Sequence, residues 1–161
     1  PPVYPTSEIK EQITAHAADC GAHGHTPDVV YIRATYLDDD PDRARREAGP
    51  FLHNFFAYNA SPMASLPPKE ELERKGYGYY TEGRLERLAR LSVDEILERE
   101  IAFVGTPEQV AEQIDRVRKI SGVTEFAMIV NFGGLEHWKV LRTLDLFARR
   151  VMPALGLEAK S

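Results

Sequence analysis

The chain has little of several things, and each scarcity excludes something. Cys20 is its only cysteine in 161 residues, so no disulfide can form within it. Neither sign of charge dominates: 20 Lys and Arg stand against 25 Asp and Glu, for a net charge of −5. The basic residues are interspersed with acids, whereas a phosphate backbone needs them clustered, so nucleic acid is excluded as a partner. No apolar run is long enough to cross a bilayer, and no charged-then-apolar signal segment is visible. A cytoplasmic location is therefore expected. What the chain does have is a hydrophobic content of 43%, enough for the packed core of one domain. It opens on Pro1-Pro2 without a methionine. Trimming before proline would account for that, and so would a position inside a longer polypeptide. The architecture below favours the second.

The most informative segment runs from Phe103 to Val110. Thr106 is placed to cap a helix, Pro107 suits its first position, and Gln109 stands three residues after the cap. That helix carries Val110, Ile114 and Val117 on one face and is expected to end at Gly122. A continuous apolar run, Phe126 to Val130, follows and stops at Asn131-Phe132-Gly133-Gly134. It reads as a strand buried on both faces. A last helix offers Val140, Leu141, Leu144, Phe147, Ala148 and Val151, and closes on Met152-Pro153. Strand, helix, strand, helix with joints this short implies parallel strands with crossover helices.

Upstream, Ser7 is expected to cap a first helix with Ile9, Ile13, Ala17 and Cys20 along one face and Gly21 at its end. Val29 to Leu37 is rich in β-branched and aromatic residues and reads as a strand. Asp40-Pro41 reads as a cap and helix start, and Gly49-Pro50 predicts a kink or break in that helix. Residues 59–83 gather prolines and glycines around Tyr77, Tyr79 and Tyr80. A loop of this length and composition is either a lid over a ligand or a surface excursion pinned by aromatic packing. Helix resumes at Leu85 to Leu91, Ser92-Val93-Asp94-Glu95 forms a capping box, and Ile101 to Val104 is a short strand. Three β/α units leave sheet edges and faces unmanaged. They read either as the second part of an eight-stranded (β/α) barrel or as a small self-contained α/β sandwich.

The block from Phe103 to Leu155 resembles the C-terminal signature of the bacterial luciferase-like, flavin-dependent monooxygenases. The resemblance rests on Val104-Gly105-Thr106-Pro107-Glu108-Gln109-Val110, Ser121-Gly122-Val123, Asn131-Phe132-Gly133-Gly134, and Leu144-Asp145-Leu146-Phe147-Ala148 leading to Val151-Met152-Pro153. It implies the α/β class, with residues 1–161 forming one partial domain: about the last three β/α units of a (β/α)8 TIM-type barrel. Residues 59–100 would then be a lid-like insertion between units, shielding a reactive intermediate from water. The implied cofactor is reduced FMN, supplied by a separate flavin reductase, or a deazaflavin. The implied reaction is oxidation of a small apolar organic substrate with O2. The family's early strands carry most catalytic histidines and much of the flavin site, and none of those positions maps onto this chain. A missing N-terminal part of the barrel, or a partner chain supplying it, is therefore expected, along with a homo-oligomer. A non-catalytic half-barrel that assembles through its open sheet edges is the contrasting reading.

Barrel active sites lie at the C-terminal ends of the strands. That singles out Asn131, Gly133 and Gly134 for cofactor, and Tyr36, Phe132, Tyr77, Tyr79 and Tyr80 for substrate and lid. Asn131 could reach into a pocket or cap a turn beside two glycines. Thr106 and Gly105 are explained by capping alone. His16, Cys20, His23 and His25 are zinc-ligand types, but their spacing matches no common zinc module, and no metal is expected. Asp38-Asp39-Asp40 reads as a helix-start cap rather than a divalent-ion site. His53 and His137 fall on helices without a visible partner carboxylate.

Overall fold

The computed structural model describes residues 4–61, 66–77, 83, 87–120 and 122–157. Helix α1 spans Thr6–Ala22, strand β1 Val29–Leu37, helix α2 Pro41–Ala60 and helix α3 Lys69–Arg74. Helix α4 spans Val93–Glu98, strand β2 Ala102–Gly105, helix α5 Pro107–Arg118 and strand β3 Val123–Ile129. Helix α6 spans His137–Leu146 and continues through a π-helical turn, Phe147–Val151, to Ala154.

The three strands form one parallel sheet in the order β2-β1-β3. Ala34 lies beside Ala102 on one side and Ile129 on the other. Side chains alternate across β1 because the strand period is two. Tyr31, Arg33, Thr35 and Leu37 fall on one face, and Tyr31 and Leu37 pack there against α1, α5 and Val151. Ala34 and Tyr36 fall on the other and pack against α2, α4 and the start of α6. Helices therefore cover one face fully and the other only toward the C-terminal ends of the strands, leaving Val30 and Ile32 exposed. A barrel lays consecutive strands side by side with every helix outside. Here the third strand pairs with the first, on the side away from the second.

Local rules explain most elements. Thr106 accepts from the Gln109 N–H, the Gln109 side chain accepts from the Thr106 N–H, and Ser92 and Glu95 repeat the arrangement in α4. In α5, Val110, Ile114 and Val117 are buried as their spacing requires. Burying one such side chain stabilises by about 1.5–3 kcal/mol. The helix ends at Arg118, earlier than Gly122; Gly122, at φ 95°, turns the chain into β3 instead.

Four expectations need correction. Ser7 caps nothing: α1 starts at Thr6 behind Pro5, and the Thr6 hydroxyl bonds the Tyr31 hydroxyl (2.7 Å) and the Glu100 carbonyl (3.2 Å). Pro50 does not break α2, which runs unbroken to Ala60. Pro50 and Arg46 are exposed, so water can take the carbonyl that the missing N–H leaves unpaired. Strand β3 carries the apolar run but none of its residues is buried, because it is an edge strand that, unlike the β2 edge, is not covered by helices on both faces. In α6, Leu141 and Leu144 are 52% and 41% exposed while Lys139 and Thr143 are buried, because the helix turns polar side chains toward the strand ends. Of the 59–83 stretch, α2 takes the start and α3 a central part. Helix at Leu85–Leu91 is seen at residues 87–88; residues 84–86 lie outside the described set.

Candidate active site at the strand ends

Helix α6 crosses the C-terminal end of β1 and meets α2 there. The Leu37 N–H donates to Thr143 Oγ1 (3.3 Å). The Asp38 N–H donates to the Gly105 carbonyl (3.1 Å), joining the ends of β1 and β2. Asp38 is fully buried. Its Oδ1 accepts from Arg43 Nε (2.8 Å) and the Asp40 N–H (2.9 Å). Arg142 Nη1 stands 2.7 Å from Oδ2 at an angle outside hydrogen-bonding range, so that contact is an ion pair alone. Burial pushes the Asp38 carboxyl up, but the Arg43 and Asp40 hydrogen bonds and the Arg142 charge outweigh it and hold the group below its usual range. Asp40 is the N-cap of α2. Asp39 pairs with Arg142 and Arg150, and Arg150 also reaches Glu108 (2.6 Å).

Tyr36 is buried and its hydroxyl donates to Glu47 Oε2 (2.7 Å). Burial and the neighbouring Glu47 raise the phenol well above its ordinary value, so it stays protonated. Lys139 Nζ lies 3.6 Å from Glu47 and 3.3 Å from Glu136, and over the rings of Phe51 (5.2 Å) and Trp138 (5.4 Å). The result is a Tyr36–Glu47–Lys139 chain of polar groups under an aromatic wall.

Beside it, the Gly133–Gly134 turn packs against α2. A Cβ on Gly133 would stand 1.8 Å from the Phe51 carbonyl oxygen, while the same position on Gly134 meets nothing. Asn54 Nδ2 donates to the Gly133 carbonyl (3.4 Å). Asn54, Phe55, Ala57, Tyr58 and the two glycines line a cleft of about 410 Å3. Tyr58 is 79% exposed at its edge.

The residues singled out from sequence scatter. Gly133 and Gly134 line the cleft, whereas Phe132 is buried below it against Phe55. Tyr36 is buried in the polar chain rather than open to a ligand. Asn131 is exposed. Tyr77 is half exposed, and Tyr79 and Tyr80 lie outside the described residues. Glu47, Lys139, Asn54 and Tyr58 were not singled out. Charge on a helix face gives no sign of which strand end it will meet. His16 and Cys20 stand 3.6 Å apart, but among the described residues no three His, Cys, Asp or Glu side chains gather as metal ligands.

The sequence model of the luciferase-like monooxygenases matches residues 2–125. The chain belongs to the luciferase-like monooxygenase family. The match covers the cap of α5 and the start of β3 but stops before the Asn131–Gly134 turn. Several solved structures share the fold of this luciferase-like chain. Monooxygenase RslO1 from Streptomyces bottropensis has a TM-score of 0.58 at 21% identity, over 95% of this chain and 40% of its own. The oxygenating constituent of 3,6-diketocamphane monooxygenase from Pseudomonas putida, a type II Baeyer–Villiger monooxygenase solved with FMN, gives 0.58 at 17%, over 94% and 41%. Riboflavin lyase RcaE, solved with modified FMN and riboflavin, gives 0.52 at 18%, over 96% and 38%. No curated protein matches. The luciferase-like chain thus spans about 40% of the length of these structures. Among the described residues no helix is long and apolar enough to cross a membrane.

A flavin phosphate needs spare cations or open backbone N–H groups. Arg43, Arg142, Arg150 and Lys139 all face carboxylates, and Gly133 is closed by Phe51. The described residues at the strand ends therefore do not make a flavin phosphate site by themselves. They offer one wall, the cleft beside Gly134.

Proposed function

We propose that this chain is the C-terminal part of a flavin-dependent monooxygenase that uses reduced FMN and O2 on a small apolar organic substrate. The family match over residues 2–125 carries the reading. Asn131 and Gly134, with Gly133 as the strut behind them, form the wall on the flavin side. Of the 59–100 insertion, the part carrying Tyr77, Tyr79 and Tyr80 is the lid, while residues 87–99 pack at the other end of the strands; residues 1–161 are one domain of the completed barrel. The phosphate-binding cations and catalytic groups come from a preceding part of the barrel. That assignment agrees with the shortage of spare cations at the strand ends. The enzyme works in the cytoplasm as a homo-oligomer, served by a separate flavin reductase.

A deazaflavin in place of FMN is the second reading, since the residues that would select the cofactor lie outside this chain. The deciding experiment isolates the native polypeptide, measures its mass against the 18.2 kDa of this sequence, and titrates it with FMN and with a deazaflavin. A longer polypeptide that binds FMN stoichiometrically is the expected result. A longer polypeptide that takes only the deazaflavin replaces the first reading with the second. A native chain of this length that takes neither cofactor sinks both and supports a non-catalytic half-barrel.

A further inference from the structure

At the opposite end of the strands lies a second cavity, of 370 Å3, that the flavin reading does not use. It sits where the chain enters β2, beside the start of α1; the Thr6 N–H donates to the Arg99 carbonyl (3.2 Å) there. Its floor is apolar: Leu88 and Ile101 are buried, and Leu91 is half-buried. Its rim carries three guanidinium groups, Arg87, Arg90 and Arg99. Two carboxylates, Glu8 and Glu95, also line it, but both are occupied. Glu95 Oε2 accepts from the Ser92 N–H (2.9 Å) and hydroxyl (2.8 Å), and its other oxygen faces Arg99 at 3.7 Å. Ser92 donating through both groups holds the Glu95 carboxyl below its usual range, so it stays a capping anion. The Arg90 side chain makes no hydrogen bond or ion pair with any described residue.

An apolar floor under an uncompensated cation selects one chemical class. We propose that this cavity binds a small amphipathic anion, a carboxylate on a short hydrocarbon body, with Arg90 taking the carboxylate and Leu88 and Leu91 the hydrocarbon. Its volume falls within the range of small-molecule sites. A guanidinium suits a carboxylate because its planar fork can donate two parallel hydrogen bonds. The site is separate from the strand-end cleft and does not depend on flavin.

The test is calorimetric titration of the 161-residue chain with sodium octanoate and with 1-octanol, in the absence of flavin. Octanoate is expected to bind saturably and about tenfold more tightly than octanol, the scale of one charge-assisted contact. Arg90→Ala should weaken octanoate by about the same factor and leave octanol unchanged. Arg90→Lys should restore part of the loss, since it returns the charge without the fork. No saturable octanoate binding, equal binding of the alcohol, or octanoate binding unchanged in Arg90→Ala would overturn the proposal. None of these outcomes bears on FMN binding by the longer polypeptide.

Discussion

At the residue scale, Gly133 and Asp38 matter most to the strand ends. Gly133 holds φ 62° and has the Phe51 carbonyl against its Cα. A methyl there meets backbone, not a side chain that could swing away, and the conformation itself disfavours any other residue. Gly133→Ala should cost about 3 kcal/mol, read as a lower urea midpoint at unchanged slope. Gly134→Ala meets no atom and should cost only its conformational strain, about 1–2 kcal/mol. Equal losses in the two variants would refute the close-packing account. Asp38 sets a pH dependence. Its carboxyl titrates below the ordinary 3.8 when folded. Above 3.8 folded and unfolded chains are both ionised, and its full contribution to stability is present. As pH falls below that, the unfolded chain takes the proton first, and the contribution shrinks until it is lost below the folded value. Asp38→Asn should therefore lower stability at neutral pH and flatten the acid limb of the stability curve. An acid limb as steep in the variant would show that other carboxylates govern it.

At the element scale, the chain is legible wherever the cause is local. The boundaries of β1, the cap of α2 at Asp40 and the capping boxes of α4 and α5 follow from residues within one turn of each other. Elements whose exposure is decided by distant partners are not legible this way. Strand β3 has the composition of a doubly buried strand, yet nothing in its own residues says it will sit at an edge. Helix α6 turns Lys139 and Thr143 inward because Glu47 and the Leu37 N–H await them, from residues about 90 and 106 positions away. Ser7 resembles a cap, but Thr6 has the better partners in Tyr31 and Glu100. Paired substitutions separate the two kinds of cap. Thr106→Ala should cost about 1 kcal/mol by losing its bond to the Gln109 N–H. Ser7→Ala should change chemical-denaturation stability by less than about 0.5 kcal/mol. A larger loss from Ser7→Ala would return the capping role to it.

At the scale of the whole molecule, strand order stands between this chain and a barrel. The family and the shared fold lead to a barrel, in which the unit after β2 places its strand beside β2. In this chain β3 lies beside β1, with Ile32 next to Ala127 in register, and Val30 and Ile32 are 47% and 37% exposed on the incompletely covered face. The edge that β3 occupies is the one a preceding strand of the barrel would need. In the proposed complete barrel, β3 would leave β1 and lie at the free edge of β2. The β1–β3 ladder is an edge pairing around a half-buried strand, so its loss costs less than the loss of a central strand would. A cysteine pair tests the arrangement. In a Cys20→Ser background, Ile32→Cys with Ala127→Cys should form a disulfide on mild oxidation, because in-register neighbours on paired strands stand about 4.8 Å apart, inside the Cα separation a disulfide spans. Ala102→Cys with Ile129→Cys, on one face but with β1 between them, should not. In a longer polypeptide that completes the proposed barrel, the first pair should fail to close. Closure there as readily as in the 161-residue chain would mean that β3 keeps its place beside β1, and that the complete protein departs from sequential barrel order.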